Sequence, residues 1–252
     1  MPPAAITLLT DFGTADGYVA ELKGVLVSLA PGASIVDLSH DIPAQDIAMA
    51  RLTVARYWKR FPVGTVHVVV VDPGVGTARA AIAIASDGRL LVGPDNGVLS
   101  PALFSLDARV VQLPVDPRVS STFHGRDVFA PVAARLALGE PLEAVGEPHR
   151  EAVRLRTPQP RRDAYGLLHG VVLTFDRFGN VITNLITQER VGMVKVAGRA
   201  ARLVRTYGEA APGEMVALVG SSGLVEIAVR EGNAAQTLGI SRGDAVVLTA
   251  AN

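Results

Sequence analysis

The chain contains no cysteine. That excludes disulfide bridges, thiolate metal sites and cysteine nucleophiles together, and it is the ordinary condition of an intracellular protein. Net charge is missing too: 24 Lys and Arg balance 24 Asp and Glu, so no bulk field draws the chain to a phosphate backbone or an anionic lipid surface. No apolar run approaches the roughly 18 to 20 residues that span a bilayer. The opening MPPAAITLLTDFG also lacks a basic stretch ahead of an apolar one. The expectation is a cytoplasmic protein with neither a nucleic-acid nor a membrane partner. What is present is apolar side chain: 49% of the 252 residues are hydrophobic and 19% charged, enough for one large core or two moderate ones and unlike a disordered composition.

Those apolar residues are patterned in two ways. Up to about residue 140, β-branched runs alternate with amphipathic helical stretches: AAITLLT, YVAELKGVLVSLAPG, SIVDLS, DIAMARLTVARYWKRF, TVHVVVVD. This βαβαβ rhythm predicts a mostly parallel sheet covered by helices. AAIAIAS and RLLVGPDN follow, joined by Asp87-Gly88, the strongest short hairpin signal, so an antiparallel element joins the sheet. VFAPVAARLALG reads as a helix ending at Gly139. The proline- and arginine-rich RLRTPQPRRDAYG then marks a linker near residues 156 to 164. Beyond it, LLHGVVLTFD, GNVITNLI, MVKVAG, RAARLVRTY, EMVALVGS, LVEIAVRE and DAVVLTA are short strands between turn residues, which predicts a small antiparallel barrel or sandwich. The expected fold is therefore an α/β domain over residues 1–157 followed by a β domain over 164–252.

In an open α/β sheet the carboxyl ends of the strands converge on the ligand crevice, so polar residues that terminate apolar strands come first. Asp11 ends ITLLT, Asp72 ends VHVVVV, and Asp95 and Asn96 follow LLVG in the turn GPDNG. Each also suits a cap or turn. A crevice carboxylate can accept both hydrogen bonds of a vicinal diol, which points to ribose. Nucleotide phosphate binding at Gly74 and Gly76 is excluded, because the third glycine is missing, no Gly-Lys-Ser or Gly-Lys-Thr follows, and the run continues as a strand. GSSG at 220–223 lacks the spacing of a serine hydrolase elbow, and the five histidines form no metal-ligand pair. No metal is expected.

Two further stretches concentrate polar residues beside structure. STFHGRDVFAPVAARLALG places His124 just ahead of a helix, and TFDRFGNVITNL sets Asp176, Phe178 and Asn180 around a glycine between two strands. A cap and a hairpin turn are the simple readings. One aromatic face beside an amide and a carboxylate is also what an amino acid or a purine would use. His40 in LSHDIP has the same ambiguity as His124, and nothing adjacent in sequence resolves it.

Taken in order, TDFGTADGYVAELKG, VVVVDPGVGT with the following AR, GPDNG, FHGRDVFAP and FDRFGNVITN resemble the S-adenosylmethionine (SAM) hydroxide adenosyltransferase family, hydrolase relatives of chlorinating and fluorinating enzymes. The resemblance implies a homotrimer that holds SAM between domains of neighbouring subunits. It places the family's catalytic Asp-Arg-His set on Asp72, Arg79 and His124, and its ribose aspartate on Asp11. Asn180 matches the family's substrate asparagine, with Asp176 and Phe178 beside the methionine part. Ser221, Glu226 and Val229 match the adenine-contacting segment, the last through its backbone. The halogenating relatives carry a long insertion where AAIAIASDGRLLVG is short here, and they lack the Asp and His at the matching places.

The implied reaction is in-line displacement at the 5′ carbon of SAM by water or hydroxide, giving adenosine and L-methionine. A sulfonium leaves as a neutral thioether, so neither metal nor organic cofactor is expected. What the protein must supply is an oriented water and a fixed ribose, and such alignment can be worth about 7 to 11 kcal/mol. Arg79 is expected to polarise the water, Asp72 to fix the guanidinium and His124 to complete the water's hydrogen bonds, with the proton going to Asp72 or His124. The alternatives are a SAM-dependent halogenase, opposed by like-charge repulsion between Asp72 and a halide ion, and a non-catalytic SAM or adenosine-binding module.

Overall fold

The computed structural model describes residues 4–189 and 191–250. The chain divides between Arg156 and Thr157 into two compact units.

In the first unit, β1 (Ile6–Thr10) is buried along its whole length, as expected for a strand covered on both faces. It leads into α1 (Tyr18–Leu29), β2 (Ile35–Ser39), α2 (Ile47–Tyr57) and β3 (Val66–Val70). Next come β4 (Ala81–Ser86), β5 (Arg89–Pro94), β6 (Arg109–Gln112), α3 (Ala130–Ala137) and the short β7 (Glu147–Pro148). The sheet order is β2-β1-β3-β5-β4-β6-β7. β2, β1, β3 and β5 are parallel, and β6, antiparallel to β4, shares their direction, so five of the seven strands run one way. The mostly parallel sheet expected from the βαβ rhythm is observed.

Alternate residues of these strands enter two separate cores, as a period of two requires. Ile6, Leu8, Val66 and Val68 pack with Leu22 and Leu26 of α1 and Ala130 and Ala133 of α3. Leu9, Val69 and Val71 pack with Ala50 and Val54 of α2 and with Trp58. Helices thus cover both faces. The Asp87-Gly88 pair turns β4 into β5 with positive φ at both residues, 45° and 70°, the backbone of a type I′ hairpin. One feature had no counterpart in the sequence pattern: a π-helical turn over Gly125–Phe129 opens α3 immediately after His124. Such turns occur mostly as local bulges and often at functional sites.

The second unit is a barrel. Its strands are β8 (Arg161–Arg162), β9 (Leu168–Phe175), β10 (Val181–Thr183), β11 (Gly192–Val196), β12 (Arg199–Val204), β13 (Met215–Val219), β14 (Val225–Val229) and β15 (Ala245–Ala250). Seven of them close in the order β9-β10-β14-β13-β12-β11-β15, and β15 returns to β9. Closure removes the free edges. Val172, Val181, Val194, Ile227 and Val246 fill the interior. Three details depart from expectation. β12 and β13 pair in parallel, because the 205–214 segment crosses over, with a 3-10 turn at Tyr207–Glu209, and does not reverse as a hairpin. Arg161 and Arg162, inside the expected linker, pair with β9. A short helix, α4 (Ala234–Leu238), capped by the Asn233 side chain on Gln236 N, lies in a stretch that has no helical period.

Candidate active site

β1 and β3 are parallel neighbours with Thr10 opposite Val70. Asp11 and the pair Val71-Asp72 therefore leave the sheet at one edge, the carboxyl edge where ligands bind. β5 ends there as well, and Asn96 Nδ2 donates to Val71 O at 2.9 Å, fixing the residue before Asp72. After Asp72 the chain reverses: Val75 N donates to Asp72 O and Thr77 N to Gly74 O, each at 3.2 Å. Gly76 has φ 75°, and a Cβ there would collide with the Ser121 carbonyl oxygen. Only glycine lets this loop lie against the segment that carries His124.

The reversal returns Arg79 to Asp72. Nε of Arg79 donates to Asp72 Oδ1 at 2.9 Å and Nη2 donates to Oδ2, a fork-on-fork pair in which the side chains are only 10% and 5% exposed. The same Nη2 lies 3.0 Å from His124 Nδ1, and Nη1 donates to Ala80 O at 3.3 Å. The guanidinium carbon stands 5.4 Å from the Phe129 ring centre. Because a guanidinium can only donate, His124 Nδ1 is the acceptor, and the ring proton of the neutral imidazole sits on Nε2. Burial first, and then the neighbouring Arg79 charge, lower the pKa of His124 against the opposing pull of Asp72 and Asp127. The imidazole is therefore neutral at pH 7.

Asp11, Asp72 and His124 line one cavity of about 390 Å³; Arg79 is not among its lining residues. Asp11 Oδ2 accepts from Gln45 N at 2.7 Å, and Oδ1 has no protein donor among the described residues. Phe12, Tyr18 and Phe123 also line the cavity and meet edge to face, with centroids 5.4 to 6.1 Å apart. Sequence reasoning did not select these rings or Gln45. The available signal was that Phe12 adjoins Asp11 and Phe123 adjoins His124.

In the second unit, Asp176 braces its own turn. Oδ1 accepts from Phe178 N and Asn180 N, and Oδ2 from Asn180 Nδ2, all at 2.9 Å. Asn180 is buried, while the Phe178 ring is 76% exposed. Asn180 leads into β10, where Ile182 pairs with Glu226 of β14, so the turn and the Glu226 strand are neighbours. Glu226 is buried and accepts from the Tyr207 hydroxyl, whose pKa is raised by burial and then by that carboxylate. Val229 ends β14, opposite Met215, and its carbonyl accepts from Gly232 N at 3.0 Å. Ser221 is exposed in the turn between β13 and β14.

Comparison with known proteins gives the same partition. The SAM hydroxide adenosyltransferase N-terminal domain profile matches residues 6–146, and the C-terminal domain profile matches residues 170–247. The chain belongs to the SAM hydroxide adenosyltransferase family. It is 46% identical to a protein of Salinispora arenicola named (R)-S-adenosyl-L-methionine hydrolase, over 97% of each chain. It is 30% identical to a fluorinase of an Actinoplanes species, over 71% of each. A solved structure of an uncharacterized conserved protein from Thermotoga maritima superposes with a TM-score of 0.89 at 34% identity, covering 96% of this chain and 99% of that one.

In this SAM hydroxide adenosyltransferase the N-terminal match contains Asp11, Asp72, Arg79 and His124, and the C-terminal match contains Asp176, Phe178, Asn180, Ser221, Glu226 and Val229. Asp95 ties down a distant segment: its carboxylate accepts from Val153 N at 2.8 Å and lies 3.1 Å from His149 Nε2. Among the described residues, no three His, Asp or Glu side chains are grouped to hold a metal ion.

Proposed function

We propose that the protein hydrolyses SAM to adenosine and L-methionine by attack of water on the 5′ carbon. The observation that carries this is the Asp72–Arg79–His124 cluster at a cavity that also displays Asp11. Asp11 grips the ribose hydroxyls, for which Oδ1 is available. The attacking water sits between Asp72 and His124, the two members of the cluster that line the cavity. Arg79 stays behind them, four of its five N–H groups already donated.

The same proposal gives the proton to Asp72. His124 has no lone pair to offer, since Nδ1 is taken by Arg79 and Nε2 carries hydrogen, so it orients the water by donating. Asp72 keeps carboxylate lone pairs beyond those used by Arg79 and is the base. As the C5′–O bond forms, the C5′–S bond breaks and its electron pair leaves with sulfur as neutral methionine. The water proton passes to Asp72 and then to solvent. No metal or organic cofactor takes part, because the leaving group needs no Lewis acid.

In the second unit, Glu226, Ser221 and the Val229 backbone receive adenine, and Asn180 with Asp176 and Phe178 receives the methionine part. A homotrimer in the cytoplasm belongs to the same proposal; among the described residues no helix is long and apolar enough to cross a membrane. Light scattering would show a mass three times that of the chain. A halide as nucleophile is disfavoured, because it would lie against the Asp72 carboxylate. The test is turnover of both sulfonium epimers of SAM by purified protein, with and without EDTA and with molar chloride. Equimolar adenosine and methionine, unaffected by EDTA, is the expected result. Chlorinated nucleoside, or binding with no product over hours, would overturn the proposal.

A further inference from the structure

We infer that His40 is a positioning residue for ribose recognition: it staples the turn that carries Asp11 to the loop that follows β2. This rests on the assignment of Asp11 to ribose. His40 is buried, lies five residues before Gln45, and is unused by the chemistry. Its Nδ1 lies 2.8 Å from Thr10 Oγ1, and Thr10 is fully buried. The same Thr10 oxygen accepts from Phe12 N at 3.3 Å; the Asp37 carboxylate beside Nε2 favours the ring proton there, which leaves Nδ1 to accept from the hydroxyl. Nε2 lies 3.1 Å from Asp37 Oδ1, within ion-pair distance but off the line of a hydrogen bond. Asp37 Oδ2 is in turn 2.5 Å from Lys23 Nζ.

Thr10, His40 and Asp37 reproduce the residue types of a hydrolytic triad, but the hydroxyl has no access to solvent or to the cavity lining. The arrangement is a brace. The backbone of His40 adds a second tie, accepting from Gly13 N at 2.8 Å. Thr10 and Gly13 are therefore both pinned by one residue, and Asp11 lies between them. The third tie comes from the same loop, where Gln45 holds φ 65° and donates its N–H to Asp11 Oδ2. Two carboxylate oxygens reach a vicinal diol together only if held within about 0.5 Å of the productive place. Of the three ties, two run through His40.

The test is calorimetric binding of adenosine and of 2′-deoxyadenosine to wild type, D11A, H40F, H40N and T10V, with SAM turnover in parallel. Wild type should prefer adenosine by about 10- to 100-fold, the range of a hydrogen bond to a charged group, and D11A should lose the preference. H40F fills the space without an acceptor and should reduce the preference by roughly 5- to 10-fold, with KM for SAM rising more than kcat falls. H40N places an amide oxygen near the Nδ1 position and should restore most of it. T10V, which removes the hydroxyl while keeping the shape, should behave as H40F and carries the test if H40F does not fold. Wild-type preference retained in H40F or T10V while D11A loses it would overturn the inference alone. Absence of any preference in wild type would remove the Asp11 assignment and the inference with it. SAM turnover bears separately on the reaction.

Discussion

Asp72 in the first unit and Asp176 in the barrel occupy similar places in the sequence: each closes an apolar strand and precedes a glycine turn. Their surroundings differ in where the donors come from. Asp176 is satisfied within four residues, by the backbone of Phe178 and by Asn180. Asp72 is satisfied by a side-chain cation seven residues on, which also reaches His124 forty-five residues further along the chain. A carboxylate bound by its own turn holds that turn. A carboxylate bound by a buried guanidinium shared with an imidazole is a chemical group kept in place, and the structure retains it at a cavity despite the cost of burying charge.

The comparison predicts separable failures. Arg79→Ala should cost the most, lowering kcat about 10²- to 10⁴-fold, because Asp72 and His124 lose their common partner. Arg79→Lys should recover little, since an ammonium has no fork to hold two carboxylate oxygens and Nδ1 together. A residual rate within tenfold of wild type for either variant would break the distinction drawn between the two aspartates.

Next in size is a pH effect confined to the first unit. The buried imidazole of His67, on β3 behind the site, is pushed down to about 4 from an ordinary 6.5, by burial first; a backbone hydrogen bond involving Trp58 opposes the shift and the Arg89 charge adds to it. Between those values the unfolded chain binds a proton that the folded chain refuses. Stability is therefore full above pH 6.5 and declines as pH falls towards 4, by about 3 kcal/mol at 1.36 kcal/mol per unit. Urea unfolding of wild type and His67→Phe across that range should show the steeper dependence in wild type; Tyr57 and Phe61 are the aromatic neighbours, with ring centres 5.4 and 5.6 Å away. Parallel curves would remove His67 as the cause.

Asp176→Ala should act on the turn and only secondarily on rate. Loss of the bonds to Phe178 N, Asn180 N and Asn180 Nδ2 should lower stability by about 2 kcal/mol and raise KM for SAM while leaving kcat within a few-fold. A kcat loss as large as that of Arg79→Ala would mean that the second unit shares in the chemistry. The smallest expected change is Gly88→Ala, about 1 kcal/mol, from the positive φ and the Val63 methyl 2.9 Å from the new Cβ. Activity should not change.

Much of this was legible in the sequence where the determinant is local. A run of valines ending in Asp72 announces a strand end at the sheet's ligand edge, and Asp87-Gly88 announces its hairpin, because both depend on a few adjacent residues. Asp11, Asp72, Arg79 and His124 were singled out through motif order, and packing brings the last three into contact. The ring cluster was not, since Phe12, Tyr18 and Phe123 meet only after β1, α1 and α3 pack, and no period relates them. The parallel β12–β13 pair escaped for a similar reason: strand period gives faces but not directions, and direction is set by the crossover at 205–214. His40 was visible as a residue and opaque as a role, because its partners Thr10 and Asp37 belong to different strands.

The central claim is that the Asp72–Arg79–His124 cluster delivers a solvent oxygen to the 5′ carbon of SAM. Turnover in water enriched in oxygen-18, followed by mass spectrometry of both products, measures that transfer. The expected result is one labelled oxygen per adenosine, at the 5′ hydroxyl, and none in methionine. Adenosine without label, or a nucleoside carrying another nucleophile at that carbon, would contradict it.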